Sequence, residues 1–280
     1  MKSLSDHAAS ERLFSPDREL WRVDREMALI MIGGRALLMQ LAHPMVAAGV
    51  AQHSDFKADP LGRLQRTMGA MWSIGFDERS RAEAALQRVN QVHEGVSGVV
   101  PANEPEFGAR AYFALDQDLL LWVHATLIDS AMVGYQTFVA PLTTAAKSRY
   151  YDDSKQLAEL FKIRREIVPL SLSDFEAYMH RMIAGGAITV GPTARMLARD
   201  VLYPRPWLLR PAGPLFRLVT TGLLPDELQR GYGLVWNDGR ARRLRLFARI
   251  VRGFLPLVPA QLRIVPNARH AERELRRLTR

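Results

Sequence analysis

Cysteine is absent from the 280 residues. That absence excludes a disulfide framework, a thiolate metal site, an iron–sulfur cluster and a cysteine nucleophile. Any redox chemistry therefore needs another carrier. Lysine is scarce as well, supplying 5 of the 38 basic residues. Strand signals are nearly missing: no stretch sustains an apolar/polar alternation, and no Asn-Gly or Asp-Gly turn joins two β-branched runs. The glycine patterns of phosphate-binding loops and of the serine hydrolase elbow do not occur, so nucleotide binding and serine hydrolysis lack their usual supports. The N-terminal MKSLSDHAASERLF has neither the basic start nor the apolar centre of a secretory signal, which predicts a cytoplasmic protein. The longest weakly charged run, Met27 to Gln52, is interrupted by Arg35, His43, Pro44 and three glycines. It reads as a buried pair of helical segments rather than a membrane span.

What remains is a globular composition, 48% hydrophobic and 24% charged, in a chain long enough for one large domain or two modest ones. The net charge of +9 is unevenly spread. Residues 204–280 hold 16 arginines, no lysine and 5 acids, whereas residues 1–203 hold 22 basic and 24 acidic groups. Pro204, Pro206, Pro211 and Pro214 punctuate a connector at 203–214. The expected organisation is a helical core over 1–203 and a basic helical extension over 204–280 packed on it, as a single domain overall. Such a basic stretch suits an anionic membrane surface or nucleic acid, and its plainest reading is a solvated arginine-rich helix.

Apolar residues recur at helical steps along most of the chain, so the expected class is all-α. Asp59-Pro60 reads as an N-cap followed by proline at the first helical position, with Leu61, Leu64, Met68, Met71 and Gly75 as one stripe of a helix over about 60–75. Ala82, Ala85, Leu86, Val89, Val92, His93 and Val96 form the next stripe, broken by Gly95, Gly98 and Pro101. From Asp116 the segment LLLWVHATLIDSAMVGY is apolar on nearly every side and predicts a central helix over 116–135. Ser173 and Glu176 have capping-box spacing ahead of a helix through Met179, Met182 and Ile183, and a further helix covers 192–202. Over 240–255, Leu244, Phe247, Ile250, Val251 and Phe254 line one face with arginines opposite, an arrangement that also suits peripheral membrane contact.

With no cysteine, the seven histidines are the informative residues. His7 and His270 lie in polar terminal stretches. His93 falls in the apolar stripe of its helix, where an unpaired imidazole costs on the order of 1–3 kcal/mol, so it needs a partner. A backbone carbonyl or water would serve. So would iron, since a single neutral imidazole on a rigid helix is what haem ligation requires. His124, beside Trp122, is expected to be buried in the central helix, and His43 precedes a proline at a bend or helix start. No His-Glu-x-x-His spacing or carboxylate cluster joins these histidines, which leaves a mononuclear zinc or non-haem iron site unsupported. In RLQRT, Arg63, Arg66 and Thr67 lie at i, i+3 and i+4, placing two guanidinium groups and a hydroxyl on one helix face. That strip is either a salt-bridged surface or, if it faces a cavity, fixed positive charge for an anionic group.

Taken in order, QLAHPMVAAGVAQHS, DPLGRLQRT, VHEGVSG, LDQDLLLWVHATL, PDELQRGYGLVW and VPAQLRIVP resemble the bacterial latex-clearing proteins and the MpaB-type oxygenases over about residues 20–270. The resemblance implies an all-helical, globin-like bundle around a b-type haem, acting as a haem oxygenase or peroxygenase. It implies His93 as proximal iron ligand, with Arg63 and Thr67 matching an Arg-x-x-Lys-Thr helix on the distal side. Arg66 stands where latex-clearing proteins carry lysine. His124 corresponds to a histidine near the pocket, and His43 remains a second candidate cofactor contact. The implied partners are a hydrophobic, isoprenoid-like small molecule and dioxygen or peroxide, with no specific nucleic acid. A haem-binding or sensing protein without turnover would use the same ligand set, and a peripheral membrane or nucleic-acid module would act through the basic tail.

Overall fold

The computed structural model of the chain describes residues 12–54, 60–104, 107–186, 188–203 and 211–278, without the side chains of residues 60, 61, 63 and 64. Among the described residues the chain is all-α. After α1 (Glu19–Asp24) and a 3-10 turn (Met27–Ile32) come α2 (Gly33–Leu41), α3 (Pro44–His53), α4 (Pro60–Phe76) and α5 (Arg79–Glu94). The long α6 (Gln117–Phe138) is followed by α7 (Thr144–Leu160), α8 (Leu172–Ala184) and α9 (Pro192–Leu202). The basic region forms α10 (Gly213–Leu223), α11 (Asp226–Gly231), α12 (Asp238–Phe254), α13 (Ala260–Arg263) and α14 (Pro266–Leu278). The described strands form one antiparallel pair, β1 (Ser97–Val99) and β2 (Ala111–Phe113), with Gly98 opposite Tyr112.

α6 is the axis of the fold. Asp116 caps it by accepting from the Asp118 amide at 2.9 Å, which satisfies one of the donors a helix start leaves open. Its buried residues include Leu119, Trp122, His124, Ala125, Ile128, Met132 and Phe138, on all sides of the helix. Such a helix has to be wrapped by others, and α1, α2, α7, α12 and the Met27–Ile32 turn pack against it. The close approach of that turn depends on Gly134, where a Cβ would come within 2.7 Å of Ile32. Met27 to Gln52 is the expected pair of helical segments, bent by 109° at Ala42-His43. No single described helix is long and apolar enough to cross a membrane.

α4 and α5 are joined by Asp77 and Glu78 alone and pack along each other as an antiparallel hairpin. The buried part of α4 lies towards this turn, at Ile74 and Phe76, with Met71 and Trp72 against the main core. Asp59, the expected cap, lies outside the described residues, as do the side chains of Leu61 and Leu64. On α5, Ala82, Ala85 and Leu86 are buried as expected, but Val92 is 67% exposed. Asn90 takes the buried position instead, because the stripe 82–86–90 follows one side of a 3.6-residue helix while 92 falls off it.

Two further expectations are corrected. The capping box of α8 consists of Ser171 and Asp174, with the Ser171 hydroxyl accepting from the Asp174 amide at 3.2 Å and the Asp174 carboxylate accepting from the Ser171 amide at 3.1 Å. Ser173 and Glu176 lie inside the first turns, because Leu172 has already entered the helix. On α12 the expected apolar face is divided. Leu244 is buried with Phe247 and Val251 packed beside it, whereas Ile250 and Phe254 point outward with Leu246.

Candidate active site

The hairpin brings two of the sequence motifs to one end. Arg63 lies 13 residues before the end of α4 and His93 lies 14 residues after the start of α5. At 1.5 Å per residue these are about 20 Å and about 21 Å from the turn, so both sit at the same level of the hairpin. Arg66 and Thr67 follow one turn nearer to it on α4. Both are exposed, and Arg66 has an interaction partner. The Arg63 side chain lies outside the described residues. Arg66 and Thr67 thus border solvent, as the surface reading of the strip expects.

His93 is half-buried at the C-terminal end of α5, not pointed fully into the core. Its Nδ1 is buried without a hydrogen-bond partner. Burial lowers its pKa, which keeps the ring neutral and its lone pair available. The chain runs from His93 directly into β1, which is held against the end of α3. The Gln52 amide donates to Val99 O at 2.8 Å, the Tyr112 hydroxyl donates to Gln52 Oε1 at 2.7 Å, and His53 Nε2 lies 2.8 Å from Ser97 O. The ligand candidate is therefore anchored on both sides, by a helix and by a docked strand.

His43 occupies the other end of α3. It is the helix N-cap, its Nδ1 accepting from the Met45 amide at 3.3 Å, and its ring meets Phe107 edge-on at 5.5 Å between centroids. Burial pushes its pKa down to about 4, opposed by the Asp116 carboxylate. The length of α3 separates it from β1 and thus from the His93 end, about 14 Å of helix rise. His124 is fully enclosed in α6, with neither ring nitrogen hydrogen-bonded, and burial alone pushes its pKa down to about 4. Trp122 is likewise in the core, its indole nitrogen unpaired. No group of three or more histidines, aspartates or glutamates with metal-binding proximity occurs among the described residues.

Two buried polar residues near these motifs escaped the sequence reading. Asn90 sits on the His93 face of α5, one turn earlier, and the i, i+3 spacing to His93 was its only signal. Glu104 is buried in the loop after β1, with Oε1 accepting from the Thr193 amide at 2.7 Å and Oε2 unpaired. It closes the N-terminus of α9, a tertiary contact with no local sequence signature.

No curated protein and no solved structure matches the chain significantly. Residues 21–253 match the family described as "ER-bound oxygenase mpaB/B'/Rubber oxygenase, catalytic domain". The matched span runs from within α1 to the last turn of α12 and contains every motif above except VPAQLRIVP, and on that extent the chain belongs to the mpaB/rubber oxygenase catalytic-domain family.

Proposed function

We propose that the protein is a haem b-dependent oxygenase or peroxygenase, held to its cofactor by His93 and acting on a hydrophobic, isoprenoid-like small molecule. The observation that carries this reading is the buried, unpartnered Nδ1 of His93 at the same end of the hairpin as Arg63, Arg66 and Thr67. The donor set fits the cofactor. Haem brings four ring nitrogens and asks the protein for one or two axial ligands, whereas zinc or non-haem iron asks for three or more. When bound, haem supplies the redox centre at which dioxygen or peroxide is activated for attack on the substrate.

The chain's own residues supply the rest. His93, neutral at pH 7 because burial lowers its pKa, offers a lone pair without first losing a proton. Arg63 and Arg66 provide guanidinium groups that stay charged and that would stabilise haem carboxylates or a developing anionic oxygen. Thr67 adds a hydroxyl donor one position on. Met71 and Trp72 of α4 pack against the main core, so the helix that carries Arg63, Arg66 and Thr67 is held by apolar contacts. The family's description includes rubber oxygenase, an enzyme of an isoprenoid polymer, which supports the substrate class.

The purified protein is expected to show a Soret band or to acquire one on titration with hemin. His93→Ala is expected to lose haem or shift its absorption strongly while the helical circular dichroism stays within error of wild type. A wild-type protein that neither carries nor takes up haem would overturn the proposal. Unchanged ligation in His93→Ala would move the axial role to His43 or His124.

A further inference from the structure

The surface of α12 and the segment after it carries a feature that oxygenase chemistry does not use. Leu246, Ile250 and Phe254 lie at i, i+4 and i+8 on its outer side, followed by Leu257 and Leu262, all between 48% and 75% exposed. Isolated exposed leucines are ordinary, but five large apolar side chains clustered on one short stretch are not. The opposite side of α12 is already committed to the core through Leu244, Ala248, Phe247 and Val251. The exposed residues therefore form a second apolar strip that nothing among the described residues covers.

Beside that strip runs a cationic one. Arg242, Arg245 and Arg249 succeed each other at three- and four-residue steps, Arg243 stands one turn before Leu246 at the head of the apolar strip, and all four are exposed. None has a carboxylate at ion-pair distance among the described residues, and Asp238 is the single acid between residues 238 and 264. Arg252 closes the row by donating to Gln136 O at 2.6 Å and Thr137 O at 2.9 Å, which fixes α12 rigidly on the end of α6. Gln136, Thr137, Arg245, Ala248, Arg249 and Arg252 line a groove of about 450 Å³ along this edge.

We propose that this face docks the protein on an anionic lipid bilayer, with Leu246, Ile250, Phe254 and Leu257 entering the acyl boundary and Arg242, Arg243, Arg245 and Arg249 bound to lipid phosphates. The chemistry selects the partner. A helix lying in the interface needs an apolar strip and an adjacent cationic strip on one exposed side, and long arginine side chains reach the headgroups while their stems stay apolar. A second copy of the chain would bring two unneutralised arginine rows together across a two-fold axis, which like-charge repulsion opposes. Nucleic acid would satisfy the arginines and leave Leu246, Ile250, Phe254 and Leu257 without a counterpart.

The test is sedimentation of the full-length protein with vesicles of phosphatidylcholine alone or with about a third phosphatidylglycerol. Binding is expected to the anionic vesicles, weakening as salt is raised, with little to the neutral ones. Ile250→Glu with Phe254→Glu, both at exposed positions, is expected to reduce vesicle binding at least tenfold without altering helicity. Arg245→Gln with Arg249→Gln is expected to remove the preference for anionic lipid. Three results would overturn the proposal: equal binding of wild type and both double variants, a concentration-dependent dimer that the Ile250/Phe254 variant abolishes, or duplex DNA binding that the same variant leaves unchanged.

Discussion

Among single residues, the buried imidazoles have the most direct consequence for behaviour in solution. Unfolded histidines titrate near 6.5, whereas His43 and His124 in the fold are pushed down to about 4 by burial. Between those values the unfolded chain binds more protons than the folded one. Stability is therefore fully present above about pH 6.5 and falls as the pH drops towards 4. Each such group contributes a slope of about 1.4 kcal/mol per pH unit in that window. His124→Gln is expected to lower the slope of unfolding free energy against pH by about one proton, whatever it costs in packing. An unchanged slope in urea melts at pH 4.5 to 6.5 would show that His124 does not titrate on unfolding. Arg66 makes the complementary case. A guanidinium stays protonated and is a very poor metal donor, unlike the lysine that latex-clearing proteins carry there. On the haem reading, the wild type is expected to bind cyanide or imidazole readily. A wild type already six-coordinate through nitrogen would contradict that assignment.

Whole elements show where sequence patterns carry and where they stop. α6 was legible because its signal is redundant: a run of apolar residues, an Asp116 cap and no proline all agree. The start of α9 at Pro192 and the two helices α4 and α5 were legible for the same reason, though not their pairing as a hairpin. The start of α8 was not, since Ser171/Asp174 and Ser173/Glu176 both have serine and an acid at capping spacing. Only the packing of Leu172 and Phe175 against the core decides between the two registers. Ser171→Ala is expected to cost about 1 kcal/mol and Ser173→Ala only a few tenths, read from thermal melts. The reverse order would restore the later start. The faces of α12 failed for a related reason: arginine at six of its 17 positions leaves the hydrophobic pattern too broad to say which edge meets α6 and α10. The hairpin site was partly legible, since spacing placed Arg63, Arg66, Thr67 and His93 on helices of the right length. Whether Arg66 and Thr67 face solvent or a cavity was not, because it depends on what packs across the hairpin.

The molecule as a whole is closed by its own ends. α14 and the residues before it return to the N-terminal region: the Val265 amide donates to Arg25 O at 2.9 Å, and the Trp21 indole donates to Glu272 at 3.2 Å. Arg12 pairs with Glu274 at 2.6 Å, while Asn267 donates to Asp77 in the turn of the α4/α5 hairpin at 2.8 Å. Val265, Ala268 and Ala271 join the main core cluster. The strap thus supports the turn from which the proposed site extends. Its most demanding contact is Glu26, a carboxylate buried at the start of the Met27–Ile32 turn, with Arg263 donating to both oxygens at 2.9 and 3.1 Å and Arg25 close by at 3.8 Å. Removing one partner of a buried ion pair leaves an uncompensated charge, whereas replacing both by apolar residues of similar size removes the desolvation cost along with the attraction. Arg263→Met leaves Glu26 with Arg25 alone at 3.8 Å and is therefore expected to destabilise the fold by about 2 kcal/mol, and Glu26→Met with Arg263→Met to return to within about 1 kcal/mol of wild type. The measurement is a urea melt of the two variants against wild type at pH 7. Equal losses in the single and double variants would mean that the arginine acts through packing, and that the strap is held by its apolar residues rather than by charge.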